Sequence, residues 1–169
     1  MNRYDLVCNI EFSLSEDRFS RLMLVDPVFK SLERALKTDG KGLFCLGLPL
    51  LECLWAGKVL KRHKIDSFPV PVEYACATVS KDDAREVAKL YLKRVEDQNR
   101  RFFEKNLIEA RLSPALSRMT YGFICQPVKS EAECRLPGGL TICVDKVSAQ
   151  VWEEVDFTQL DLMKWLICE

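Results

Sequence analysis

Residues 42–64 read GLFCLGLPLLECLWAGKVLKRHK, and the way this stretch is read decides the fold. Its first sixteen residues carry one charge, Glu52, and its last seven carry four cations and the only histidine of the chain, His63. A membrane span needs about 20 consecutive apolar residues. This run stops short of that and is interrupted by Gly47-Leu48-Pro49 and by Glu52. Pro49 marks the start of a helix. Between Leu50 and Gly57 the apolar residues point all round, which predicts burial on every side. From Lys58 charges appear on several faces, so the helix surfaces there. The reading is a core helix with a basic, solvated end and no membrane association.

The rest of the chain is consistent with a folded protein. Of 169 residues, 48% are apolar and 30% charged, which excludes a disordered chain. A chain of this length buries a core without staples and fits one domain, 1–169. Lys plus Arg equals Asp plus Glu at 25 each, so no global field draws it to nucleic acid or acidic lipid. The charge is uneven along the chain, however. Residues 41–70 hold five cations against two acids, and residues 112–169 hold five cations against eight acids. These two regions attract one another, within a molecule or between copies. The start MNRYDLVCNIEF lacks the basic opening and unbroken apolar run of a signal peptide. With eight cysteines and no C-x-x-C pair, this predicts a cytoplasmic protein with reduced, mostly buried thiols.

Upstream of the opening stretch, Tyr4, Leu6, Cys8, Ile10 and Phe12 alternate with Asp5, Val7, Asn9 and Glu11, predicting a half-buried strand. Ser13 and Glu16 form a capping box for a helix to about Val25. Asp26-Pro27 starts a second helix, striped by Phe29, Leu32, Ala35 and Leu36 and stopped by Asp39-Gly40. Downstream, Ser67–Val72 carries Pro69 and Pro71 and reads as an extended connector or edge strand, continuing through Tyr74, Cys76 and Thr78. It divides two candidate subdomains, 1–66 and 72–169.

Ser80 opens the longest predicted helix, running to about Leu112, with Ala84, Val87, Ala88, Tyr91, Val95 and Phe102 on one face. Past Phe102 the stripe drifts toward Phe103, Leu107 and Ala110. At 1.5 Å per residue this helix is about 50 Å long, more than a small domain needs, so part of it is free to pair with another copy. Met119, Tyr121, Phe123 and Cys125 return to period two. Glu133–Leu136 and Leu140–Val144 flank Pro137-Gly138-Gly139 as a hairpin, and Thr158–Ile167 closes the chain as a helix. The predicted fold is α+β: an N-terminal strand, several helices, a C-terminal β-meander and a closing helix. The alternative is mostly α.

No catalytic set stands out. Cys125, Cys134 and Cys143 are spaced by nine, but structural zinc sites pair their ligands closely, so no metal is assigned. His63 is the only base for a Cys–His pair and sits among Lys61, Arg62 and Lys64, which disfavour its imidazolium. A cysteine-dependent enzyme is the third-ranked reading, and no cofactor is implied. The alternative to protein binding is an RNA- or DNA-binding protein with two basic patches. One is Lys58, Lys61, Arg62 and Lys64. The other is Arg94, Arg100, Arg101 and Lys105, interleaved with Phe102 and Phe103. In the second patch Glu96–Arg100 and Asp97–Arg101 are i,i+4 pairs, which read equally well as a solvated helix face. The leading expectation is a non-enzymatic regulatory module of the inhibitor, immunity or adaptor kind. It binds a protein or a second copy of itself through Tyr91, Val95, Phe102, Phe103 and Leu107.

Overall fold

A computed structural model describes residues 2–8, 37–38, 43–62, 64–99, 103–104, 106–126, 128 and 139–168. It is α+β, with helices and two small antiparallel sheets. The chain divides into two compact units: residues 1–75 with 156–169, and residues 76–155. The change of unit falls after Ala75 rather than within 66–72, and the closing helix groups with the first unit. The expected helix over 13–25, most of the one after Asp26, and the hairpin arm Glu133–Leu136 lie outside the described residues.

In the first unit β1 (Tyr4–Cys8), β2 (Lys37–Thr38), β3 (Leu43–Leu48) and β4 (Ser67–Pro71) form a sheet in the order β2-β3-β1-β4. The helix expected to end at Asp39-Gly40 therefore does not extend to Lys37, which pairs with Cys45 in the sheet. β1 is a central strand covered on both faces. Asp5 and Val7, expected on a solvated face, are buried with Leu6 and Cys8. Burial of Asp5 is met by a bulge. Between the pairs Tyr4–Leu48 and Leu6–Phe44, β3 has more residues than β1. The spare N–H groups of Leu46 and Gly47 donate to Asp5 Oδ1 at 2.8 and 3.0 Å. Gly47 there holds φ at +57°, a conformation that glycine adopts without steric cost.

β4 is an edge strand, as its prolines require. Pro69 and Pro71 stand at alternate positions, so both missing N–H groups fall on the free edge, while the chain bonds β1 from the other side. The strand does not continue through Tyr74. Val72–Ala75 is a 3-10 turn. Helix α1 (Leu50–Arg62) packs on β1 and β4, with Cys53 Sγ 3.5 Å from the Asp5 carbonyl oxygen of β1 and Gly57 against Ser67 of β4.

In the second unit helix α2 spans Lys81–Asn99, not 80–112. Ser80 caps it: its Oγ accepts the Asp83 N–H at 3.1 Å and donates to Asp83 Oδ2 at 2.6 Å. Beyond the helix the chain turns back, with Phe103 N–H donating to Glu96 Oε1 at 2.8 Å. It then runs as β5 (Ile108–Glu109) beside β6 (Thr120–Cys125), which pairs in turn with β7 (Leu140–Asp145). A short helix α3 (Pro114–Met119), capped by Ser113, precedes β6, so Met119 ends a helix instead of opening the strand. Ala84, Ala88 and Leu92 of α2 pack on Leu107, Phe123, Cys125, Ile142 and Val144. The last helix, α4, spans Glu154–Cys168.

Behind this core, the carboxylate of Asp145 organises the turn after β7. It accepts the Val147 and Ser148 N–H groups at 2.8 Å each and the Trp152 indole N–H at 2.9 Å.

Candidate binding surface on helix α1

Helix α1 begins where Cys53 N–H reaches the Pro49 carbonyl at 3.0 Å. Glu52 lies in its first turn and Lys61 and Arg62 in its last, each matched to the helix dipole. The end is closed by two bonds, Lys64 N–H to Lys61 O at 2.9 Å and Ile65 N–H to Leu60 O at 3.0 Å. This is the Schellman arrangement, in which the residue with left-handed backbone is usually glycine. Here that residue is Lys64, with φ of 63°. A cation is thus held at a position whose backbone opposes a side chain.

The expected burial of Leu50–Gly57 on every side is corrected. Leu51 is 80% exposed and Trp55 47%. With Lys58 and Arg62 they recur at i, i+4, i+7 and i+11, which places all four in one stripe facing away from Cys53 and Leu60. The stripe is apolar at its N-terminal half and cationic at its C-terminal half. Lys61, to one side, pairs with Asp66. Among the described residues Lys58, Arg62 and Lys64 take part in no ion pair. His63 lies outside the described residues. The stripe was legible in the sequence from the phase of these four residues, but overall apolarity hid it.

The second proposed patch belongs to the other unit. Arg94 is exposed, with its guanidinium 5.2 Å from the centre of the Tyr91 ring. Arg100, Arg101, Phe102 and Lys105 lie outside the described residues. Of the proposed interface residues, Tyr91 and Val95 are half-buried, and Phe103 packs against the core of α2. Leu107 is 3% exposed and is a core residue, so it offers nothing to a partner. It fell on the drifting stripe because the chain reverses after α2 and brings it back beneath the same helix.

Of the described cysteines Cys8, Cys53, Cys125 and Cys143 are buried, and Cys76 is exposed. Burial pushes the Cys8 and Cys53 thiols up to about 12; Cys53 adds to the effect at Cys8, and Asp5 to that at Cys53. Burial also raises Cys125 and Cys143. Such thiols are protonated and weakly nucleophilic at neutral pH. The β6–β7 register pairs Cys125 with Leu140 and Cys143 with Gly122. That puts the two sulfurs on opposite faces of the sheet, where they cannot share an ion. Among the described residues no three His, Cys, Asp or Glu side chains are grouped to hold a metal. Lys146 is lowered by burial and then by Arg118; its ammonium donates to the Ser117 carbonyl and sits 4.7 Å from the centre of the Tyr121 ring. No described helix is long and apolar enough to cross a membrane.

Compared with protein families, curated proteins and solved structures, the chain finds no match.

Proposed function

We propose that this chain is a non-enzymatic cytoplasmic binding protein, a regulator of the inhibitor, immunity or adaptor kind, that takes a protein partner on the outward stripe of α1. The observation that carries this reading is the exposure of Leu51 and Trp55 on the same helix stripe as Lys58 and Arg62, two turns before them. A large aromatic beside an aliphatic side chain supplies the anchor of an interface, and flanking cations supply orientation and encounter rate. The partner surface that fits is apolar with acidic flanks. Lys64 adds support, because strained backbone that presents a charge is a mark of sites kept for use.

The test compares the wild type with Leu51→Asp/Trp55→Asp, both positions being exposed enough to leave the fold intact. Immobilised wild type is expected to retain a partner that the variant loses. Equal retention by both would refute the assignment of this surface.

A second reading has its own observation. Trp55 next to the cations Lys58 and Arg62 also suits stacking of a base and neutralisation of phosphates. Fluorescence anisotropy with labelled single- and double-stranded RNA and DNA, at low and high salt, decides it. Salt-sensitive binding that disappears on removing the charges of Lys58, Lys61, Arg62 and Lys64 would favour nucleic acid. No binding at low salt would exclude it.

A further inference from the structure

The charges of α1 run in one order along its length. Glu52 lies in the first turn, and Lys58 and Arg62 follow toward the end. Lys64 is exposed and is fixed just past the last turn by its left-handed backbone. The stripe itself is narrow. Leu54 and Val59 flank Trp55 on its two sides and are buried. At about 100° and 1.5 Å per residue, the stripe from Leu51 to Arg62 covers about 60° of the helix and is about 16 Å long.

A strip one side chain wide and three turns long selects the form of its occupant. An extended segment laid on it would find no backbone partner, because the N–H and C=O groups of α1 bond within the helix. A second helix arrives with its own backbone satisfied and packs by its i,i+4 ridge.

The order of charge selects the direction. A helix lying antiparallel to α1 meets Lys58, Arg62 and Lys64 with its first turn and Glu52 with its last. Acids are then needed at its N-terminus, where its own dipole favours them. A parallel helix would need acids in its last turn, against its dipole. The antiparallel arrangement also sets the negative end of the α1 dipole beside the positive end of the partner's.

We propose that the occupant of the α1 stripe is an amphipathic helix of a partner protein, antiparallel to α1, with acids at its start over Lys58, Arg62 and Lys64. Two large apolar residues at i,i+4 follow two turns later and lie over Leu51 and Trp55. This rests on the reading of α1 as a binding surface and names the partner's chemistry and orientation.

A display library of helical peptides about four turns long tests it, selected on the immobilised full chain and counter-selected on Leu51→Asp/Trp55→Asp. Enriched peptides are expected to carry Asp or Glu in the first turn and an apolar i,i+4 pair after it, and to gain helical circular dichroism when bound. Their affinity is expected to fall at least about tenfold on Lys58→Glu/Arg62→Glu, and to return when the peptide's acids are exchanged for lysines. Lys58→Gln/Arg62→Gln is the milder variant, and both are read against wild-type circular dichroism.

Enriched peptides with acids in the last turn, enrichment with no bias in charge position, or no enrichment at all would overturn the proposal. Labelled RNA bound by the same chain without any enriched peptide would overturn it in favour of nucleic acid. If a protein is retained by the wild type and lost on Leu51→Asp/Trp55→Asp while no such peptide is enriched, α1 is still a binding surface and only the acidic helix is wrong.

Discussion

Gly57 of α1 stands against Ile167 of α4 so closely that a Cβ at residue 57 would lie 3.1 Å from Ile167 Cδ1 and 3.2 Å from Ser67 Oγ. The contact joins the two helices through buried residues of each. Gly57→Val drives two further carbons into this space. It is expected to destabilise the protein by about 1–3 kcal/mol in urea unfolding, the usual range for overpacking.

The Ser67 hydroxyl in the same contact is buried and has no hydrogen-bond partner among the described residues. An unmet hydroxyl is costly only while it is there. Ser67→Ala is therefore expected to raise the unfolding free energy by about 1 kcal/mol, read from the denaturant midpoint at constant slope. A loss of stability would mean that the hydroxyl is bonded.

Lys64 occupies a left-handed position that favours glycine. Lys64→Gly is expected to stabilise the chain by about 1 kcal/mol in urea unfolding, since a left-handed side-chain residue costs about 1–2 kcal/mol. The same change removes a cation from the α1 surface and is expected to weaken partner binding. Opposite signs in the two measurements are the signature of a residue kept for function.

Cys8 and Cys53 hold their protons more tightly in the native state than an ordinary thiol does. The resulting stability is whole below the ordinary thiol value of about 8.5 and is lost as pH rises through the native value. The unfolding free energy from urea titrations is expected to fall between about pH 8 and about pH 11, by an order of magnitude of 1–2 kcal/mol per thiol. The slope should flatten in Cys53→Ala. Both thiols should resist alkylation at neutral pH until the protein unfolds. Fast alkylation of either would reopen the cysteine-dependent reading.

The α+β class was legible because its signals are local: the alternation at Tyr4–Cys8, the Ser80 cap, the alternate prolines of β4 and the closing helix. What was missed is tertiary. β3 lies in an unbroken apolar run, LFCLGL, whose period is that of neither helix nor half-exposed strand. The reach of α2 was overstated because Leu107 shares its core, although the chain has already reversed. At α1 the apolar count concealed the phase. Leu51 and Trp55 read as core by composition, and only their spacing from Lys58 and Arg62 places them outside.

The central claim is that the outward stripe of α1, with Leu51 and Trp55 exposed, is the surface that takes a protein partner. Affinity capture on immobilised wild type and on Leu51→Asp/Trp55→Asp of equal circular dichroism, compared side by side, tests it most directly. A protein retained by the wild type and lost on the variant is the expected result. Equal retention by both would contradict the claim.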